Sequence, residues 1–137
     1  MEKPVQKPSY AEEVKGKTGI RRMLNATRYS ISGFAAAMEE QGFRQLVYLN
    51  AALFALLIFL PFGPATRMML FMASCITLII ELLNTGLEAA VDHTSLAQHP
   101  LAKRAKDVGS AAQCMALLML VGLWAMALWR EYGLNLF

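Results

Sequence analysis

Four polar side chains, Glu81, Asn84, Glu88 and Asp92, interrupt the far end of a hydrophobic stretch that runs from Met68 to Asp92. At 100° per residue they fall within an arc of roughly 80° and climb about three turns of a helix. One polar seam therefore rises out of an apolar rod. Carboxylates facing lipid are costly, so such a seam is expected to face protein or water and to mark a functional site. Glu81 is the deepest of the acids, preceded by the run Cys75 to Ile80 and followed by Leu82 and Leu83. Desolvation at that depth favours a neutral carboxyl, which suits a group that must take a proton near neutral pH. Asn84, one turn on, would orient a hydroxyl or hold the carboxylate. A polar clamp across an oligomer interface would use the same two residues.

Glu88 and Asp92 lie one turn apart at the edge of the apolar stretch, with Glu40 available on the preceding segment. Oxygen-only ligands of this kind suit Mg²⁺, which takes one or two carboxylates and completes its shell with water and phosphate oxygens. Acidic residues at a helix end can also simply be solvated. Lys103, Arg104, Lys106 and Asp107 crowd the start of the next helix. They would bind phosphates, helped by the helix's amino end, or satisfy anionic lipid head groups. A shared depth with the carboxylates favours the first use, since cations and a bound divalent metal on one surface are what nucleotide phosphates require. His93 and His99 have no paired Cys or His to suggest zinc, and Cys75 and Cys114 read as packing residues in a reduced setting. No GxxxxGK[ST], kinase-type glycine loop or serine-hydrolase elbow occurs.

The elements that must carry these groups follow from composition. The chain has 137 residues, 56% of them hydrophobic, in blocks too long for ordinary core helices. This predicts one all-α membrane domain. Residues 1–17 mix Lys, Glu and Pro with no apolar signal-peptide core and read as a flexible cytosolic tail; residues 18–137 form the domain. Ile20, Met23, Leu24, Thr27, Ile31 and Phe34 share one helical face while Arg21, Arg22, Asn25 and Arg28 lie largely elsewhere. The pattern predicts an N-terminal amphipathic surface helix over about 18–36. Three transmembrane helices are predicted at about 43–62, 67–92 and 101–130, with Pro61, Gly63 and Pro64 forcing a tight turn after the first. Trp124, Trp129 and Tyr132 suit an aromatic belt at the end of the third.

Lys and Arg set the orientation. Eight precede the first span, one lies between the first two, three lie between the second and third, and one follows the third. The N-terminus and second loop are therefore expected in the cytoplasm and the C-terminus outside. Basic residues beside spans, without interleaved aromatics, exclude a nucleic-acid platform.

The run Glu81-Leu82-Leu83-Asn84-Thr85-Gly86-Leu87-Glu88-Ala89-Ala90-Val91-Asp92, followed by Ala102-Lys103-Arg104-Ala105-Lys106-Asp107-Val108-Gly109-Ser110-Ala111-Ala112, resembles the signature of the prokaryotic integral-membrane diacylglycerol kinases. With the three spans and the surface helix, the resemblance covers roughly residues 17–129. It implies a homotrimeric bundle in the bacterial inner membrane, with active sites shared between neighbouring subunits at the cytosolic interface. It also implies transfer of the γ-phosphoryl group of MgATP to the primary hydroxyl of diacylglycerol, giving phosphatidic acid. By position, Glu81 would be the general base, and Glu40 and Glu88 would hold the Mg²⁺. Arg22, Tyr29, Gln98, His99, Lys106 and Asp107 would contact ATP together with the two metal ligands. Gly42, Phe43, Arg44, Gln45, Ser110 and Trp124 would line the path of the lipid, while Asn84 and Asp92 would support Glu81 and the metal site.

Two other readings use the same residues. A kinase of the same family acting on a polyprenol such as undecaprenol differs only in its acceptor, and Val108 to Ala112 leans toward the diacylglycerol branch. A cation- or proton-coupled transporter would run Glu81 and Glu88 as a relay, although the cations at 103–106 would repel its cargo at the mouth.

Overall fold

The computed structural model describes residues 19–94 and 99–133; the proposed tail and Gln98 lie outside the described residues. Four helices follow one another, α1 (Ile20–Ala37), α2 (Gln41–Phe59), α3 (Pro64–Thr94) and α4 (Pro100–Tyr132), and the described residues form no strand. The chain divides after Ala35 into two units.

The first unit is essentially α1. Gly19 starts it at φ 67°, a left-handed setting that glycine adopts without strain, and its carbonyl accepts from the amide of Arg22. Thr27 and Ser30 return their hydroxyls to the carbonyls of Met23 and Ala26, so neither competes with the helix for its own amides.

In the second unit, α2, α3 and α4 are each long and apolar enough to cross a membrane. At about 1.5 Å per residue, the 31 and 33 residues of α3 and α4 exceed a hydrocarbon layer of about 30 Å, so each helix extends beyond the apolar region. The surplus carries Glu88 and Asp92 at the end of α3 and Lys103 to Asp107 at the start of α4.

Proline sets the boundaries. Pro64 and Pro100 open α3 and α4, where a missing amide costs nothing and the fixed φ suits the first turn. The α2–α3 turn is closed by the Phe62 amide on the carbonyl of Leu60, and by the guanidinium of Arg67 reaching back to that same carbonyl at 3.0 Å. Phe62 is buried there. Its ring meets Trp124 edge-on at 5.9 Å and Tyr132 at 6.4 Å. The core gathers around this turn from Leu57, Phe62, Leu70, Ala73, Leu120, Trp124 and Ala127. Trp124 is thus turned inward rather than joining an aromatic belt, while Trp129 and Tyr132 remain exposed.

Helix α3 packs most extensively on α4 and less so on α2. The stripe that α2 buries is Phe43, Leu46, Asn50 and Leu57, close to a heptad seam. Large apolar residues elsewhere on the three helices, among them Phe59, Met72, Met115 and Met126, stay exposed in the single chain. Lipid or further copies of the chain are the surroundings such surfaces need.

Candidate active site

The polar seam of α3 is held by contacts within the helix and to its neighbours. Glu81 and Asn84 are partly buried, and the Asn84 amide donates to Oε1 of Glu88 at 3.3 Å. One turn further, Asp92 faces α4, where both its oxygens meet Nζ of Lys106 at 2.7 and 2.9 Å. The seam therefore faces protein over much of its length.

Glu81 is positioned by α2. A Cβ placed on Gly42 would lie 2.8 Å from Oε1 of Glu81, so the carboxylate occupies space that only a glycine leaves open. Gly42 lies in the first turn of α2, whose leading amides have no partner within the helix. The carboxylate therefore sits at the positive end of that helix's dipole.

Asn84 is held the same way from the other side. A Cβ on Gly109 would collide with Oδ1 of Asn84 and come within 3.2 Å of Leu87. Two glycines, one on each flanking helix, admit the two central side chains of α3. Sequence reasoning missed Gly109. Its signal was a glycine inside a helix, costly unless something must approach the backbone closely. Oδ1 of Asn84 itself is buried and has no protein partner, leaving an acceptor inside the site.

The remaining candidates separate into groups. Glu40 is the N-cap residue of α2 but makes no capping bond, so its exposed carboxylate is free. Phe43 is buried, and the Arg44 guanidinium is used by the turn before α2, donating to the carbonyls of Met38 at 3.2 Å and Glu39 at 3.0 Å. Gln45 and Ser110 are exposed. Asp107 pairs with Lys103 at 2.6 Å, an exposed contact one turn apart on α4. His99 caps α4, its Nδ1 accepting from the amide of Leu101 at 3.2 Å, which leaves Nε2 to donate outward. Arg22 and Tyr29 lie seven residues apart on one face of α1. Trp124 is fourteen residues beyond Ser110, about 21 Å along α4, and belongs to the core at the α2–α3 turn rather than to the Glu81 cluster.

A divalent metal fits the donor set. Neither Glu40 nor Glu88 meets a cation among the described residues, and Glu88 spends only one oxygen on Asn84. Hard carboxylate oxygens without a counter-charge are suitable ligands for Mg²⁺. The described residues contain no cluster of three or more Asp, Glu, His or Cys, so any metal here would be completed by water and phosphate oxygens.

The chain is similar to known proteins over most of its length. The family model for prokaryotic diacylglycerol kinase matches residues 28–128, which include α2, the whole seam of α3 and the charged start of α4. A diacylglycerol kinase of Pseudomonas aeruginosa is 48% identical over 112 residues, covering 81% of this chain and 91% of the relative. Those of Escherichia coli K12 and Helicobacter pylori 26695 are 38% and 37% identical, covering 85% and 87% of this chain and 96% and 90% of theirs. With the match spanning the helices that build the site and the relatives aligned over nearly their full length, this bacterial-type membrane protein belongs to the prokaryotic diacylglycerol kinase family.

Proposed function

We propose that this lipid kinase transfers the γ-phosphoryl group of ATP to the primary hydroxyl of diacylglycerol, producing phosphatidic acid and ADP. The observation that carries the reading is the Glu81 carboxylate held against Gly42, at the first turn of α2 and at the deep end of a polar seam. A lipid alcohol reaches that depth with its chains still in an apolar layer, where a water-soluble acceptor would not.

Glu81 accepts the proton of the lipid hydroxyl as its oxygen bonds to the γ-phosphorus. The bond to the β-phosphate oxygen breaks and ADP departs with that electron pair. Phosphoryl transfer asks mainly for in-line positioning and charge neutralisation, and the chain's own groups can supply both. Lys106, aligned by Asp92, presents an ammonium to the phosphates. His99, the N-cap of α4, can add an N–H, and Gln98, which precedes it in sequence, is assigned to the same nucleotide. Asp107, Arg22 and Tyr29 are assigned to the rest of the nucleotide. Glu40 and Glu88 would hold Mg²⁺, which when bound would neutralise phosphate charge. Asn84 links Glu88 to the seam. Gly42 to Gln45 and Ser110 would guide the lipid head.

The enzyme works as a homotrimer in the inner membrane, N-terminus in the cytoplasm where ATP is, C-terminus outside. The exposed apolar surfaces of the single chain and the Lys and Arg distribution support this arrangement. The test is direct. Purified protein in vesicles, given MgATP and dioleoylglycerol, is expected to form phosphatidic acid and ADP in equal amounts. Undecaprenol offered in its place is expected to react poorly. Preference for undecaprenol would move the chain to the polyprenol branch, and no turnover with either acceptor would overturn the reading.

A further inference from the structure

Asn50, Ser74 and Thr77 form a polar trio in the middle of an apolar interface, and all three are essentially inaccessible, at 1%, 0% and 0% exposure. The Asn50 amide donates to its own helix at the Leu46 carbonyl, 2.9 Å, and across to Oγ1 of Thr77, 3.3 Å. The Thr77 hydroxyl in turn donates to the carbonyl of Ser74 at 2.8 Å. Among the described residues the Asn50–Thr77 contact is the only hydrogen bond that joins α2 to α3. It is an expensive one. Oδ1 of Asn50 and Oγ of Ser74 are left buried without partners, so an apolar trio of the same size would cost less.

What the contact supplies is uniqueness. The other residues that α2 buries are Phe43, Leu46 and Leu57, and a smooth apolar stripe packs nearly as well after a small rotation. The Leu60–Gly63 turn ties the two helices at one end only. Asn50 lies eight residues from Gly42, about 12 Å along α2, and Thr77 lies one turn before Glu81. A single polar residue in a packed seam is a known device for choosing one register over its neighbours.

We propose that Asn50, acting through Thr77, is a positioning residue: it sets the rotation of α2 on α3 that brings Gly42 under the Glu81 carboxylate. The proposal rests on the kinase reading for its activity readout, but not for its structural one.

The experiment compares the parent with Asn50→Leu/Thr77→Val, which keeps volume and removes every hydrogen bond of the contact. Spin labels replace exposed Tyr48 and Met72 in a background with Cys75 and Cys114 changed to alanine, diluted into unlabelled protein. The double variant is expected to melt no lower than the parent, to show a broader or shifted label distance, and to lose about tenfold or more in kcat with KM for ATP unchanged. Thr77→Val alone should move the same way by less, and Thr77→Ser should restore parent behaviour. A parent-like distance distribution in the double variant, or parent-like kcat in both it and Thr77→Val, would overturn the proposal. If the parent itself had no kinase activity, the functional reading would fall while the label distances still decided this one.

Discussion

The carboxylate of Glu81 lies so close to the backbone of Gly42 that any side chain at position 42 would meet it. The contact is with the flexible end of Glu81, which can move aside, so Gly42→Ala is expected to fold normally. Its turnover should fall by about tenfold to a hundredfold, since displacing a reacting group by about 1 Å can cost that much. Thermal melting and steady-state rates measured side by side check both halves.

Removing the base while keeping its shape isolates the chemistry. Glu81→Gln retains volume and hydrogen-bonding capacity but cannot take a proton, and kcat is expected to drop by roughly 10²–10⁴-fold with assembly intact. Normal turnover in this variant would take Glu81 out of the base role.

Gly109 makes room for Asn84. Gly109→Ala drives a methyl into Asn84 and Leu87, in a seam with no slack, and should destabilise the protein by about 1–3 kcal/mol. Adding Asn84→Ala relieves the clash, so the double variant should regain much of the stability yet stay impaired in activity. Denaturation in mild detergent, followed by helical circular dichroism, gives the comparison.

The Asp92–Lys106 pair is partly exposed on both sides, so solvent screening leaves it little effect on stability. Asp92→Asn is expected to leave the melting temperature nearly unchanged and to raise KM for ATP, because the ammonium loses its alignment. An unaltered KM would mean that Lys106 does not meet the phosphates.

For Glu88→Ala the expected change is in the metal titration of activity, shifted to higher Mg²⁺ because one carboxylate ligand is gone. The Asn84 amide loses its acceptor in the same variant. Asn84→Ala leaves Glu88 in place and should disturb the titration far less.

The polar seam, the three apolar blocks and the proline-marked turn were legible in one dimension, because side-chain periodicity along a helix and the thickness of a bilayer are properties of local sequence. Family resemblance could be read the same way, from a contiguous run of residues. Other relationships depend on which helix lies beside which, and that is decided by packing. Nothing in the order of residues announces that Gly42 sits under Glu81, that Gly109 receives Asn84, or that Trp124 turns inward onto Phe62 instead of facing an interface. Asn50 is the clearest case: alone in an apolar span it reads as an anomaly, and only the approach of Thr77 from another helix gives its amide a partner. Local sequence determined where polar groups lie along each rod; the rotation of the rods about their own axes, chosen by shape and hydrogen bonding together, decided which of those groups meet.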